Sequence, residues 1–229
     1  MTGPAGPVAI AWSGGKDSAL ALQTLRREPV DVAALMTTVT LGYDRVSMHG
    51  VRRDLVRRQA AAAELPLVEV EIPPGCTNDE YEERMASALA SPPLDSFGDF
   101  AFGDLFLQDV RLYREDRLSE AGRRAHFPLW GRDTAELARE FVETGFEAIV
   151  CCVDPRRLDA AFAGRAYDER FLGDLPADVD PCGENGEFHT FVWAGPILAE
   201  ALPLHIGPVV ERDGFVFCDL IEATIPPHP

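Results

Sequence analysis

The chain has 229 residues, 46% hydrophobic and 26% charged, a balance that suits a globular protein with room for one large domain or two small ones. Its net charge of −17 counts against nucleic acid as substrate, because such binding draws on Lys and Arg to neutralise phosphates, and the one dense basic patch is Arg52, Arg53, Arg57 and Arg58. No apolar run approaches the roughly 20 residues that span a bilayer, and Met1–Pro7 lacks the basic start and apolar core of a signal peptide, so the expected location is cytoplasmic. Five cysteines without C-x-x-C spacing argue against a zinc site or a disulfide framework.

An apolar strand pattern over residues 8–12 leads into Ser13-Gly14-Gly15-Lys16-Asp17-Ser18, and a helical run over 19–25 follows. Strand, glycine loop and helix make an anion cradle. Gly14 and Gly15 carry no Cβ, so backbone can come close to a ligand, and N–H groups converge at the positive end of the helix. Ser13 and Ser18 add hydroxyls, and Lys16 adds a charge. Neither GxxxxGK[ST] nor GxGxxG occurs. The loop resembles instead the pyrophosphate loop of the ATP pyrophosphatase (adenine nucleotide alpha hydrolase) superfamily, whose members split ATP to AMP and pyrophosphate while adenylating a substrate oxygen. The alternative is an ordinary glycine turn capping a helix at Asp17 or Ser18.

A β-rich run over 30–39 predicts a second parallel strand. Leu55, Val56, Gln59, Ala62 and Ala63 at helical spacing predict a helix over about 51–64, and 67–72 alternates as a third strand. Thr77 with Glu80 forms a capping box for a helix reaching Leu89, and 101–107 reads as a fourth strand. Strands alternating with helices predict a doubly wound, mostly parallel α/β sheet, with ligands beyond the C-terminal strand ends. From about residue 126 the pattern changes. Asp133 caps a helix over 134–144, and 147–153 is a strand with Cys151 and Cys152 as small buried filling. Short helices over 155–160 and 167–172 come next. Strands follow over 188–193, 202–210 and 215–220, the last two joined at Arg212-Asp213-Gly214. The expected organisation is an ATP-binding domain over 1–125 and a smaller α+β substrate domain over 126–229.

Further motifs sharpen this. Ser47-Met48-His49-Gly50, Gly103-Asp104-Leu105, Pro128-Leu129-Trp130, Gly164-Arg165 and the run Cys182-Gly183-Glu184-Asn185-Gly186-Glu187-Phe188-His189-Thr190-Phe191 occur in this order. Over nearly the whole chain they resemble the diphthine–ammonia ligase family, also called the ATP-binding domain 4 family. The resemblance implies an enzyme that uses Mg²⁺ and ATP to adenylate a carboxylate, of a small molecule or a protein, and lets free ammonia displace AMP. It implies that Ser13, Gly14, Gly15, Lys16 and Ser18 hold the leaving pyrophosphate and that Asp17 orients the loop or reaches the metal. Ala11, Trp12, Met36, Thr37 and Thr38, with His49, Gly103 and Asp104, would surround the nucleotide.

Read from the residues alone, 184–190 is a loop entering a strand, with two carboxylates and an imidazole that can accept a proton or bind a cation. A solvated acidic turn is the other reading. The resemblance favours a substrate or ammonia site built from Glu184, Asn185, Glu187, His189 and Thr190, with Arg165 for an anion. Glu187 and His189, two apart, are expected on one strand face. Trp130 is expected in the core. Two other functions fit the loop: a tRNA-modifying member of the superfamily, and a nucleotide-binding sensor without turnover. A homodimer is compatible with each.

Overall fold

Strand β1 (Val8–Ala11) is buried on both faces, as a central parallel strand must be, and hands the chain directly to the glycine loop and helix α1 (Lys16–Arg27). The computed structural model describes Pro4 and residues 6–223, so the reading of Met1–Pro7 lies largely outside the described residues. Around β1 a six-stranded sheet forms from β2 (Val32–Thr40), β3 (Arg45–Val46), β4 (Leu67–Ile72), β5 (Asp99–Ala101) and β6 (Arg124–His126). The order is β3-β2-β1-β5-β6, with β4 beside β2, and every pairing is parallel except that of β3 with β2. This is the expected α/β architecture, with the loop at the C-terminal end of β1.

Helix α2 (Arg53–Ala62) shares a face of this sheet with α1, while α3 (Asn78–Leu89) and α4 (Gln108–Glu120) pack on the other. The second unit contains α5 (Thr134–Glu143), β7 (Glu147–Val153), α6 (Glu169–Asp174), β8 (Phe188–Ala194), β9 (Leu204–Arg212) and β10 (Phe215–Glu222). Its four strands are antiparallel in the order β8-β7-β10-β9. One hydrophobic core runs from Leu20 and Leu22 of α1 and Leu55 of α2 into Phe141, Phe171, Phe188 and Phe191 of the second unit. Each such buried side chain contributes about 1.5–3 kcal/mol of transfer free energy, so the two sheets are fused through a shared interior.

The capping box at Thr77 and Glu80 and the Asp133 cap on Glu136 N are present as expected. Other elements differ: β3 and β6 were not expected, and β9 starts at Leu204 rather than 202. The fourth strand is Asp99–Ala101, not 101–107, because the later backbone bonds elsewhere: Leu105 N donates to Glu184, and Gly131 N donates to Leu105 O. Residues 155–160 form turns, since the Asp154 carboxylate takes the Arg156 N–H. The 167–172 helix begins later, at Glu169, where Asp168 accepts from Phe171 N. Helix α4 has no counterpart in the sequence reading.

Candidate functional site

The glycine loop is held by its neighbours rather than left open. Gly14 sits at φ +79°, a conformation glycine adopts without cost. An added Cβ there would come within 2.8 Å of Gln59 Oε1 and 3.2 Å of the Phe191 ring. Gly15 N donates to Ser13 Oγ, and Lys16 N donates to Thr190 Oγ1 at 3.0 Å. Val192 N donates to Gly14 O at 2.9 Å, so β8 of the second unit is bonded to the loop itself. A hydroxyl that accepts an N–H keeps its own O–H to donate. Ser13 and Thr190 therefore present hydroxyl donors where bare amides were expected. Ser18 Oγ donates to Gly15 O.

Lys16 is buried. Its ammonium donates to Asp17 Oδ2 at 2.9 Å and to the Cys182 carbonyl, and it lies 5.4 Å from the Phe188 ring centroid. Burial alone would push its pKa down, but Asp17, Cys182 and Glu184 outweigh that and hold the ammonium charged. For Asp17, burial pushes the pKa up more than Lys16 pulls it down, and its Oδ1 is buried without a hydrogen-bond partner.

A cleft of about 360 Å³ opens over this loop. Ala11, Trp12, Ser13, Lys16, Asp17 and Ser18 line one side of it. Met36, Thr37 and Thr38 of β2 and Gly103 with Asp104 line the next. Glu184, His189 and Thr190 come in from the second unit, and His49 stacks on His189 with ring centroids 4.4 Å apart. Burial pushes His189 down to about 4, and it lowers His49 as well, with His189 adding to the effect. Burial thus favours the neutral form of both imidazoles. A Cβ at Gly103 would lie 2.9 Å from the Asp17 carbonyl carbon and 3.1 Å from Ser18 N, both backbone atoms. Gly103→Ala is therefore expected to cost about 1–3 kcal/mol by displacing the loop, seen as a lower midpoint in urea.

Glu184 bridges the two units by accepting from Leu105 N at 2.7 Å. Burial raises its pKa to about 7, against the two backbone donors, with Asp17 and Asp104 adding to the rise. Its folded pKa lies above the ordinary 4.5, so folding favours the protonated form. Stability from this group is full below 4.5 and is lost as pH rises through about 7. Urea titrations from about pH 5 to about pH 8 should show Glu184→Gln gaining on the parent protein as pH rises. A constant difference across that range would remove Glu184 from the titration.

Gly14 and Gly15 belong to the loop but do not line the cleft, and three further expected site residues stand elsewhere. Glu187 is buried beside the 180–187 turn, where its Oε1 accepts from Asp180 N and Asn185 Nδ2 while Oε2 has no partner. Neither it nor Asn185 lines the cleft. The expected shared face of Glu187 and His189 is not seen: Glu187 precedes β8 and its carboxylate is held in the 180–187 turn by Asp180 N and Asn185 Nδ2, whereas His189 lines the cleft. Arg165 also lies away from the cleft, paired with Asp174 at 2.6 Å and stacked on Phe162. Trp130 is half-buried under Arg111.

The sequence reading missed Gln59 and Arg114. Gln59 was assigned to a helix face and instead clamps the loop, while Arg114 pairs with Asp104 at 2.8 Å. The basic patch is ion-paired: Arg52 to Asp219, Arg53 and Arg57 to Glu69, and Arg58 to Glu222.

Two family models match the chain. The diphthamide synthase N-terminal domain covers residues 6–121, and the diphthamide synthase C-terminal domain covers 133–212. No curated protein matches.

Proposed function

The chain belongs to the diphthamide synthase family, and on that premise we propose that it is an ATP-dependent, amide-forming ligase of the diphthine–ammonia ligase type. One observation carries the reading. Strand β8 is bonded to the glycine loop through Lys16 N–Thr190 Oγ1 and Val192 N–Gly14 O, so groups suited to a second substrate share a single cleft with the phosphate cradle.

In the proposed reaction a carboxylate oxygen of the acceptor attacks the α-phosphorus of ATP. The bond to the β-phosphate oxygen breaks, and pyrophosphate leaves. Ammonia then attacks the acyl carbon, the bond from that carbon to the AMP oxygen breaks, and the nitrogen gives up one proton. Lys16 and the Ser13 and Thr190 hydroxyls would stabilise the departing charge, the electrostatic effect that dominates such steps, while Ser18, whose O–H is given to Gly15 O, would brace the loop. Ala11, Trp12 and Met36 to Thr38 would hold adenine. Glu184 or neutral His189 would take the proton, while Glu187 and Asn185 shape the turn that presents them. Among the described residues no group of three or more His, Cys, Asp or Glu forms a metal cage. The unpartnered, buried Asp17 Oδ1 suits Mg²⁺ carried in on the phosphates, whose charge the ion would neutralise.

Residues 1–125 as the nucleotide part, 126–229 as the substrate part, and a cytoplasmic location belong to the same proposal. Among the described residues no helix is long and apolar enough to cross a membrane.

The test is pyrophosphate and AMP release from Mg·ATP with ammonium, screened over acid fractions. One pyrophosphate per amide, dependent on ammonium and on one acid, is expected. ATP binding with no release from any small-molecule or protein acid would favour the sensor reading, and release with tRNA alone would favour the tRNA-modifying one.

A further inference from the structure

A second and larger cavity, about 770 Å³, lies on the sheet face between α3 and α4. Its origin is in the packing. Helix α3 packs chiefly along β4 and α4 along β6, both outer strands, which sets the two helices apart over the sheet. Each of the two helices buries a single residue, Leu89 and Leu118. Met36, Phe100 and Phe102 are left as an apolar floor. Interiors pack to crystal density, and a gap of this volume with such a floor has the size and chemistry of a ligand site.

The cavity is continuous with the cleft, because Met36, Tyr81, Met85, Phe102 and Arg114 line both. Arg114 stands at the junction. Its guanidinium lies 4.4 Å over the Phe102 ring, and its Nε is 2.8 Å from Asp104 Oδ2. One edge of the guanidinium is committed to Asp104, and the remaining N–H groups can take a second anion. At the far rim Arg117 is already matched by Glu82 at 3.3 Å and Glu120 at 3.1 Å. Asp79, Glu83 and Arg123 also line the groove, and Arg123 donates to the Leu94 and Leu89 carbonyls. Of the lining arginines Arg114 alone also faces the cleft, so an anionic head belongs at the junction and an apolar body beyond it.

We propose that this groove holds the body of the acceptor, a carboxylic acid with an elongated apolar or aromatic chain whose carboxylate is anchored by Arg114 at the mouth of the cleft. The proposal rests on the ligase reading above and names its substrate class. A short polar acid would leave most of the groove unfilled, and an uncharged apolar molecule would leave Arg114 unused.

Decanoate is the probe, titrated calorimetrically into the full chain alongside acetate, decanol and ATP. Decanoate is expected to bind at least tenfold more tightly than acetate or decanol. Arg114→Gln should weaken it at least tenfold. Ala86→Trp, at an exposed groove position on α3, should do the same while ATP affinity stays within twofold. Absence of decanoate binding overturns the proposal, as does binding that Ala86→Trp leaves unchanged. A parallel loss of ATP affinity in Ala86→Trp overturns it too, since the groove would then belong to the nucleotide. Pyrophosphate release is read on the same samples. Its absence with every acid, proteins included, overturns the ligase reading and the acceptor assignment together, whereas loss of decanoate binding alone leaves the ligase reading standing.

Discussion

Lys16→Ala is expected to lower ATP-dependent pyrophosphate release by a factor of about 10²–10³, the usual cost of removing a preorganised charge from a developing anion. The factor should be at the upper end because the ammonium is fully desolvated, backed by Phe188 and Tyr167 and aimed by the Cys182 carbonyl. The same substitution leaves Asp17, partly exposed at the cleft, without its ammonium partner, at a cost of about 1–3 kcal/mol of stability. Lost activity could then be mistaken for lost fold. The double variant Lys16→Ala/Asp17→Asn separates them, since it leaves no unpaired carboxylate. Its urea midpoint should recover most of the loss while pyrophosphate release stays low. Recovery of both in the double variant would show that Lys16 supports the fold and takes no part in turnover.

Local chemistry was readable in the chain, and chemistry between distant segments was not. The Thr77 box and the Asp133 cap each lie within a few consecutive residues, and each formed as expected. Helix α4 left no signal because it is polar around nearly its whole circumference and buries only Leu118. That same sparse packing is what leaves the groove beside it. Residues 102–107 look like a strand by composition, but their N–H and C=O groups serve Glu184 and Gly131, remote in sequence. Alternation puts Glu187 and His189 on one face, but Glu187 lies before the strand and its carboxylate is drawn into the 180–187 turn, which leaves no local mark in the sequence. Asp104 was seen as a site residue, whereas its partner Arg114 was not, since an arginine on a charged helix looks like any surface arginine until the strand end beside it is known.

Gln59→Leu is expected to cost roughly 3–5 kcal/mol and to weaken ATP binding at least tenfold. The side chain is fully buried on α2 and uses its whole amide. Its Oε1 accepts from Trp12 Nε1 at 2.8 Å, and its Nε2 donates to Gly14 O at 3.0 Å and Val192 O at 2.5 Å. One side chain thus ties the end of β1, the first glycine of the loop and strand β8, over separations of 47, 45 and 133 residues. Leucine matches the volume but satisfies none of these groups, and each buried donor or acceptor left unpaired costs about 1–3 kcal/mol. A loop freed from this clamp spends part of its binding energy on being ordered again, which is why affinity should fall along with stability. A second core change on the same helix distinguishes the two effects. Leu55→Ala opens a cavity and should cost about 2–5 kcal/mol, yet Leu55 touches the apolar core and makes no bond to the loop. At a temperature where both variants are folded, ATP affinity should fall in Gln59→Leu and hold in Leu55→Ala. Equal ATP affinities would mean that the sheet alone positions the glycine loop, and that the bonds of β8 to Gly14 and Lys16 hold without the amide beneath them.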